Sequence, residues 1–393
     1  MSRSRLIFFI VSFLLTVPML AGTLLRAASN EQPEDDSLYK YLSVFTEVLG
    51  LVRQSYVDAP QMDALMSGAL DGTTDALDPF SIYVPASEVD TYQEARNVSW
   101  RHSGLTLLKE HGIAYVVAVE KGSPAGEAGV KPGDIVSEIS NRTTRTMPLW
   151  EMQEILAGRP GTKIEMELIR LGEPVQASFT LNAFQTPAPS MEVVDGAAVL
   201  RIPTFDRQTA PRVRELLAAD ASRVRPGVVI DLRGVSSGDP EDSYAVARLF
   251  AKGDLGSLKK RAEELQTYAG NEAPVWQGRM VVLVDRGTLG AAEVLATVLR
   301  QSVKAELVGE RTFGYAGRQG SAELSTGGRL LFTDAFYTGP DKQPLNEALK
   351  PDLLVDERSR TYLEKDVPMT ELILKKGVRR LLGGEEEPAE KVA

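Results

Sequence analysis

Lys121-Gly122-Ser123-Pro124-Ala125-Gly126-Glu127-Ala128-Gly129-Val130-Lys131-Pro132-Gly133-Asp134 decides the reading of the chain. Gly122-Ser123-Pro124-Ala125 is a turn, residues 125–129 form a short helix that stops at glycine, and Lys131-Pro132-Gly133-Asp134 is a second turn. On either side stand the β-branched and aromatic run Ile113–Val119 and the apolar run Ile135–Ile139, both strands by composition. Further out, a helix over Leu149–Leu156 and strands over Lys163–Arg170 and 175–181 complete a compact β-rich unit from about Ser103 to Leu181.

Upstream, residues 42–76 carry a helical pattern: Phe45, Val48, Leu49 and Val52 share one face, and Leu65, Ala69 and Leu70 form a second. Asp78-Pro79 stops it, because proline disfavours helical geometry in the residue before it. Ser87, followed by Glu88 and Asp90, starts another short helix. Downstream, Thr186-Pro187-Ala188-Pro189 reads as a linker. From 191 to 356, strand-like runs (197–202, 228–232, Met280–Val284, 306–308) alternate with helical segments (210–219, 242–250, 291–301). That alternation predicts a mainly parallel sheet covered on both faces. After Glu364 comes a short helix with a basic end, Lys375 to Arg380, and then a solvated acidic end over 384–393.

Composition bounds the chemistry. The chain has 393 residues and a net charge of −10, with no basic block in its body, which argues against a nucleic-acid partner. Cysteine is absent, excluding a thiol nucleophile, disulfides and thiolate metal sites. The only two histidines, His102 and His111, are poor material for zinc, so no metal and no cofactor are expected. His102 reads as a surface histidine at a domain edge. Arg3 and Arg5 precede an apolar run over residues 6–25, which describes a signal peptide or a signal anchor. Arg26 spoils a cleavage site after Ala28, so an uncleaved membrane anchor is preferred. Either way the body lies outside the cytoplasm, in the periplasm or its equivalent.

Taken together, these stretches resemble the carboxyl-terminal processing (tail-specific) peptidases. Phe45-Thr46-Glu47-Val48-Leu49, Tyr56-Val57-Asp58, Gly68-Ala69-Leu70 and Leu77-Asp78-Pro79-Phe80-Ser81 are similar to the family's N-terminal helical region, and residues 121–134 to its PDZ signature. Gly161-Thr162 before Ile164 fits as well. The resemblance implies an α/β fold: a crotonase-like peptidase core, an inserted β-rich PDZ domain and an N-terminal helical region. It divides the chain into a signal peptide or anchor (1–30), a helical region (31–100), a PDZ domain (101–185), a peptidase-like core (186–360) and a terminal helix with acidic tail (361–393).

The family cuts with a serine nucleophile and a lysine base. Here the nucleophile stretch reads Thr288-Leu289-Gly290-Ala291-Ala292-Glu293, which puts Gly290 at the serine position. The base stretch reads Gly309-Glu310-Arg311-Thr312-Phe313-Gly314-Tyr315, which puts Tyr315 at the lysine position. Gln319 matches the glutamine that orients that lysine in some relatives. The oxyanion loop, which in the family carries two glycines, survives as Val235-Ser236-Ser237-Gly238, leaving Ser237 and Gly238 as its remnant. Acyl transfer needs a nucleophile with a transferable proton and a base beside it, and neither is present. Glu293 reads as a cap of the following helix. Gly234-Val235-Ser236-Ser237-Gly238 also matches a nucleophile elbow, but no histidine follows it.

The resemblance further implies that the PDZ unit holds a peptide's terminal carboxylate with its loop Ser103-Gly104-Leu105-Thr106-Leu107. The expected function is therefore an exported homologue that binds protein or peptide C-termini, or a partner protein, without cleaving. Two alternatives stand beside it: an active serine endopeptidase with displaced catalytic residues, and a structural subunit in a homo- or hetero-oligomer with a related peptidase.

Overall fold

The computed structural model describes residues 34–97, 102–219, 227–356, 359, 364 and 367–383. The apolar run at 6–25, the acidic end at 384–393 and Trp100 lie outside the described residues. Among the described residues no helix is long and apolar enough to cross a membrane.

The chain divides into two units, residues 1–66 and 67–393. The described part of the first is the helix α1 (Glu34–Ser55) and the start of α2 (Met62–Asp75). Phe45 and Val48 sit on α1 at the expected spacing, but both are exposed, as are Leu38, Tyr41, Leu42, Val44 and Leu51.

In the second unit the chain passes from α2 through β1 (Ile82–Val84) and α3 (Val89–Asn97) into a sheet of β2 (Leu105–Glu110), β3 (Ile113–Val119), β4 (Ile135–Ile139), β5 (Arg142–Thr143), β6 (Lys163–Arg170) and β7 (Glu173–Thr180). The strand order is β2-β3-β4-β6-β7, with β5 on β4, so β2 is an edge. Residues 121–134 do what their punctuation predicts. Ser123 caps the short helix α4 (Pro124–Glu127) by accepting a hydrogen bond from the Gly126 N–H at 3.2 Å. Asp134, 1% exposed, then accepts a paired hydrogen bond from the Arg170 guanidinium at 2.7 Å on each oxygen. That fork ties the second turn to β6. The helix α5 (Leu149–Leu156) buries Leu149, Trp150, Met152 and Leu156 against this sheet and flanks the free edge of β2.

The remaining elements are β8 (Ser190–Val194), β9 (Ala197–Arg201), α6 (Thr209–Ala219), β10 (Val228–Asp231), α7 (Pro240–Ala247), β11 (Gly253–Lys260), β12 (Glu263–Gly270), β13 (Met280–Val284), α8 (Ala291–Val303), β14 (Glu306–Gly309), β15 (Gly317–Glu323), β16 (Arg329–Tyr337), β17 (Leu353–Leu354) and α9 (Met369–Leu381). The predicted parallel sheet is present in the order β17-β14-β13-β10-β9-β8, parallel except for β8 against β9. Strand periodicity splits its residues between two cores. Leu200, Ile230, Val282 and Leu307 pack with the apolar faces of α6, α7 and α8. Val199, Val229, Val281, Leu283 and Val308 pack with Leu372, Ile373, Val378 and Leu381 of α9. Both faces are therefore dry, which is why these strands read as unbroken apolar runs.

A second sheet corrects the mainly parallel expectation. The strands β1-β16-β11-β12, with β15 paired to β16, are all antiparallel. These strands gave weak signals because so little of them is buried. In β12 only Tyr268 and Gly270 are, and in β15 no residue is.

Asp71 and Asp75 of α2 share a cavity of about 50 Å³ with Lys109 of β2. Lys109 is buried and donates from Nζ to the Met147 carbonyl at 2.7 Å. Burial pushes the Asp71 carboxyl from its ordinary 3.8 up to about 6, against the pull of Lys109. A raised folded-state value means that the folded chain holds this proton more tightly than the unfolded one. The resulting stability is complete below pH 3.8 and is lost as pH rises towards about 6. Asp71→Asn should therefore flatten the fall in urea-unfolding stability over that window; an unchanged slope would contradict this assignment.

Candidate functional site

The loop after β13 delivers Gly290 to the N-cap of α8, at φ 62° and ψ −114°. L-residues rarely adopt that backbone, although space is not the obstacle: a Cβ there would meet nothing nearer than the Tyr315 carbonyl oxygen at 4.0 Å. The Gly290 N–H points at two acceptors, the Tyr315 carbonyl and Glu293 Oε2, each at 3.1 Å.

Glu293 caps α8 as expected and does more. It is 1% exposed, and its carboxylate also accepts from Thr312 Oγ1 at 2.5 Å, the Gly314 N–H at 2.6 Å and the Tyr315 N–H at 2.9 Å. Burial pushes its pKa up, while these donors and the Gly290 N–H hold it back. One buried carboxylate thus fixes the 290 loop against the 312–315 loop.

Tyr315, partly buried, packs its ring on Phe80, with centroids 4.3 Å apart, and meets Phe336 edge-on at 5.8 Å. Its hydroxyl lies 2.5 Å from Thr333 Oγ1, and Thr333 donates its own proton to Asp78 Oδ2 at 2.8 Å. Thr333 has one proton and has given it away, so Tyr315 must be the donor in their bond. Burial also pushes the phenol well above the usual tyrosine value. Burial and this bond both favour the protonated hydroxyl. Asp78 in turn accepts from the Phe80 and Ser81 N–H groups and from Ser81 Oγ. Gln319 Nε2 donates to the Phe80 carbonyl at 2.7 Å, so Gln319 supports the 78–81 turn.

The Ser236-Ser237-Gly238 loop leaves β10 next to a buried ion pair. Arg233 grips both oxygens of Asp231 at 2.7 Å and also donates to the Thr370 carbonyl. Ser237 Oγ donates to Thr204 Oγ1 at 3.2 Å. Gly238 has φ 115°, and a Cβ there would lie 2.4 Å from the Phe205 nitrogen, so no other residue fits. Ser236 Oγ lies 2.9 Å from Thr106 Oγ1 of β2, a direct stitch from this loop to the β2–β7 sheet. That sheet also covers the site: Leu108 and Val117 pack with Leu289, and Phe80, Phe313 and Tyr315 lie against them.

Of the expected carboxylate loop, only Ser103 and Gly104 are loop; from Leu105 the chain is already strand β2. His102 is not a surface residue. It is 7% exposed, with Nδ1 2.9 Å from the Gly158 carbonyl. A cavity of about 330 Å³ brings Ser103, Leu105, Thr106 and Leu107 together with Gln153 and Leu156 of α5, Phe80, Ile82 and Tyr92, and Tyr315, Gly317 and Gln319. Gly290, Ser237 and Gly238 are not among its lining residues. Sequence reading missed Thr333, which no motif marks, and saw Asp78 only as a helix stop.

Residues 196–355, which contain Gly290 and Tyr315, match the model of peptidase family S41, and residues 115–170 match that of the PDZ domain. The chain is therefore a PDZ-bearing S41 homologue. It is 27% identical over 325 residues to the carboxy-terminal processing protease CtpA of Bacillus subtilis (strain 168), covering 80% of this chain and 70% of that protein. With the carboxy-terminal-processing protease of Bartonella bacilliformis it shares 24% over 363 residues, 90% of this chain and 83% of the relative. Among solved structures, the photosystem II D1 C-terminal processing protease has the same fold, with a TM-score of 0.66 at 24% identity over 85% of this chain and 90% of that one. Over most of its length the chain is similar to carboxyl-terminal processing proteases.

Replacing Glu293 tests the joint between the two loops. Glu293→Ala leaves the Gly314 and Tyr315 N–H groups and the Thr312 hydroxyl without their acceptor, each worth about 1–3 kcal/mol if left buried and unpaired, while the Gly290 N–H keeps the Tyr315 carbonyl. Unfolding in urea should show a loss of at least about 2 kcal/mol. A change within experimental error would mean that the carboxylate does not organise these loops.

Proposed function

We propose that this protein is an exported carboxyl-terminal processing peptidase homologue that binds protein C-termini through its PDZ domain and does not cleave them. The observation that carries this reading is joint. Gly290 offers no nucleophile, and Tyr315 offers a partly buried phenol whose proton is committed to Thr333. Hydrolysis through a tetrahedral intermediate needs both groups in the same place, and losing either usually costs most of the rate. The glycine also relieves a backbone that a serine would hold under strain of about 1–3 kcal/mol, so its presence favours stability over chemistry. A displaced mechanism through Ser236 draws no support from its surroundings, because the partner of its hydroxyl is that of Thr106, which is no base. The arginines and apolar run before residue 26 support a location outside the cytoplasm.

A second reading, a non-cleaving subunit that pairs with a related peptidase, draws on α1, where Leu38, Tyr41, Leu42, Val44, Phe45, Val48 and Leu51 are all exposed. Both readings make the protein inert as a peptidase.

The test is casein hydrolysis by the purified chain. No cleavage is expected from the unmodified protein. Gly290→Ser supplies a hydroxyl with no base to take its proton, and Tyr315→Lys a base with nothing to deprotonate, so each alone should stay inert. The two together, with Ser237→Gly to restore the oxyanion loop, are the smallest change expected to give turnover. Cleavage by the unmodified protein that is abolished by Ser236→Ala or Ser237→Ala would overturn the proposal.

A further inference from the structure

The cavity of about 50 Å³ is lined by both α2 and the edge strand β2. Asp71 and Asp75, one helical turn apart, bring two carboxylates to it from α2, and Lys109 brings one ammonium from β2. The remaining walls, among them Tyr83 of β1 and Trp150 of α5, carry no charge. Lys109 is therefore the cation that faces Asp71, and Asp75 is the second carboxylate.

We propose that these three side chains form an acid-tightened clasp between α2 and β2, closed while Asp71 carries its proton and loosened once that proton leaves. The clasp goes beyond the C-terminus-binding reading and stands whether or not the groove takes a chain end.

Three observations carry it. Lys109 is held in place: it is 9% exposed and donates to the Met147 carbonyl at 2.7 Å, so the ammonium is anchored by the chain just before α5. Asp71 is half out of water beside it. Lost hydration opposes its ionisation, Lys109 favours it and Asp75 opposes it; burial wins and holds the carboxyl at about 6. Finally, Trp150 is 6% exposed, and its Nε1–H finds no acceptor among the described residues. A buried donor without an acceptor gains water as soon as the cavity opens, so closure is poised here in a way that the fully bonded Glu293 joint is not.

The sign follows from which state holds the proton more tightly. Opening returns Asp71 towards its ordinary 3.8, so closure is firmest below pH 3.8 and weakens as pH rises towards about 6. Leu107, two residues before Lys109 on β2, lines the larger cavity, so the clasp bears on the edge of the groove.

The experiment follows hydrogen exchange of the Trp150 indole N–H in the full chain, its resonance assigned by its loss in Trp150→Phe and its rates expressed as protection factors. Because this N–H is out of solvent, it exchanges through opening of the cavity. Protection should be at least about fivefold greater near pH ~4.5 than near pH ~7, a figure set below the full shift because Asp71 keeps part of its water. Asp71→Asn should remove the pH dependence and keep protection high throughout. Asp75→Asn, at an exposed position, takes away a charge that raises the Asp71 pKa and should move the loss of protection to lower pH. Peptide N–H groups between β6 and β7, such as those around the Met166 and Ala177 pair, should show no such change. Protection that does not vary with pH in the unmodified chain, or that varies equally in Asp71→Asn, overturns the clasp. A parallel loss in β6 and β7 overturns it as well, since the whole sheet would then be opening.

Discussion

The carboxylate of Glu293 is the joint on which the site is assembled. It sits one turn into α8, almost wholly out of solvent, and receives four hydrogen bonds from two separate loops. Burying a carboxylate is unfavourable unless donors replace its water, and here the chain supplies them from Gly290, Thr312, Gly314 and Tyr315. Because one charge needs all of these donors, the 290 and 312–315 loops cannot shift independently. The two loops are thus held together in a chain that carries glycine and tyrosine at the two positions where the family resemblance puts nucleophile and base.

This pair of loops is tied to other parts of the fold. Asp78, at the end of the 78–81 turn, collects donors from Phe80 and Ser81 and from Thr333, which itself accepts the Tyr315 proton. Gln319 secures the same turn from β15. Meanwhile β2 and β3 lie over Leu289 and Tyr315, and Thr106 is paired with Ser236. The edge strand β2 and the 315 position therefore line one cavity.

Much of this was legible in the sequence, for physical reasons that also explain the failures. Strands buried on both faces, such as Met280–Val284, are apolar throughout and declare themselves. The turns around residues 121–134 are spelled out by Gly and Pro, and the bounds of Ile113–Val119, Leu149–Leu156 and Lys163–Arg170 emerge as read. The antiparallel sheet was not foreseen, because Glu263–Gly270 leaves most of its residues exposed and Gly317–Glu323 buries none. His102 was misplaced because one histidine carries no pattern; its burial depends on a carbonyl at Gly158, 56 residues away. The Tyr315–Thr333–Asp78 chain joins positions 18 and 255 residues apart, which no local motif can encode.

The central claim is that the site holds chain ends and leaves them whole. Its most direct test is intact-mass spectrometry of an unfolded polypeptide ending in leucine, incubated overnight with the full chain and recovered from the complex by size exclusion. The account predicts that the polypeptide co-elutes with the protein and keeps its starting mass. Recovery of C-terminally shortened chains or internal fragments, absent when the protein is left out, would contradict it.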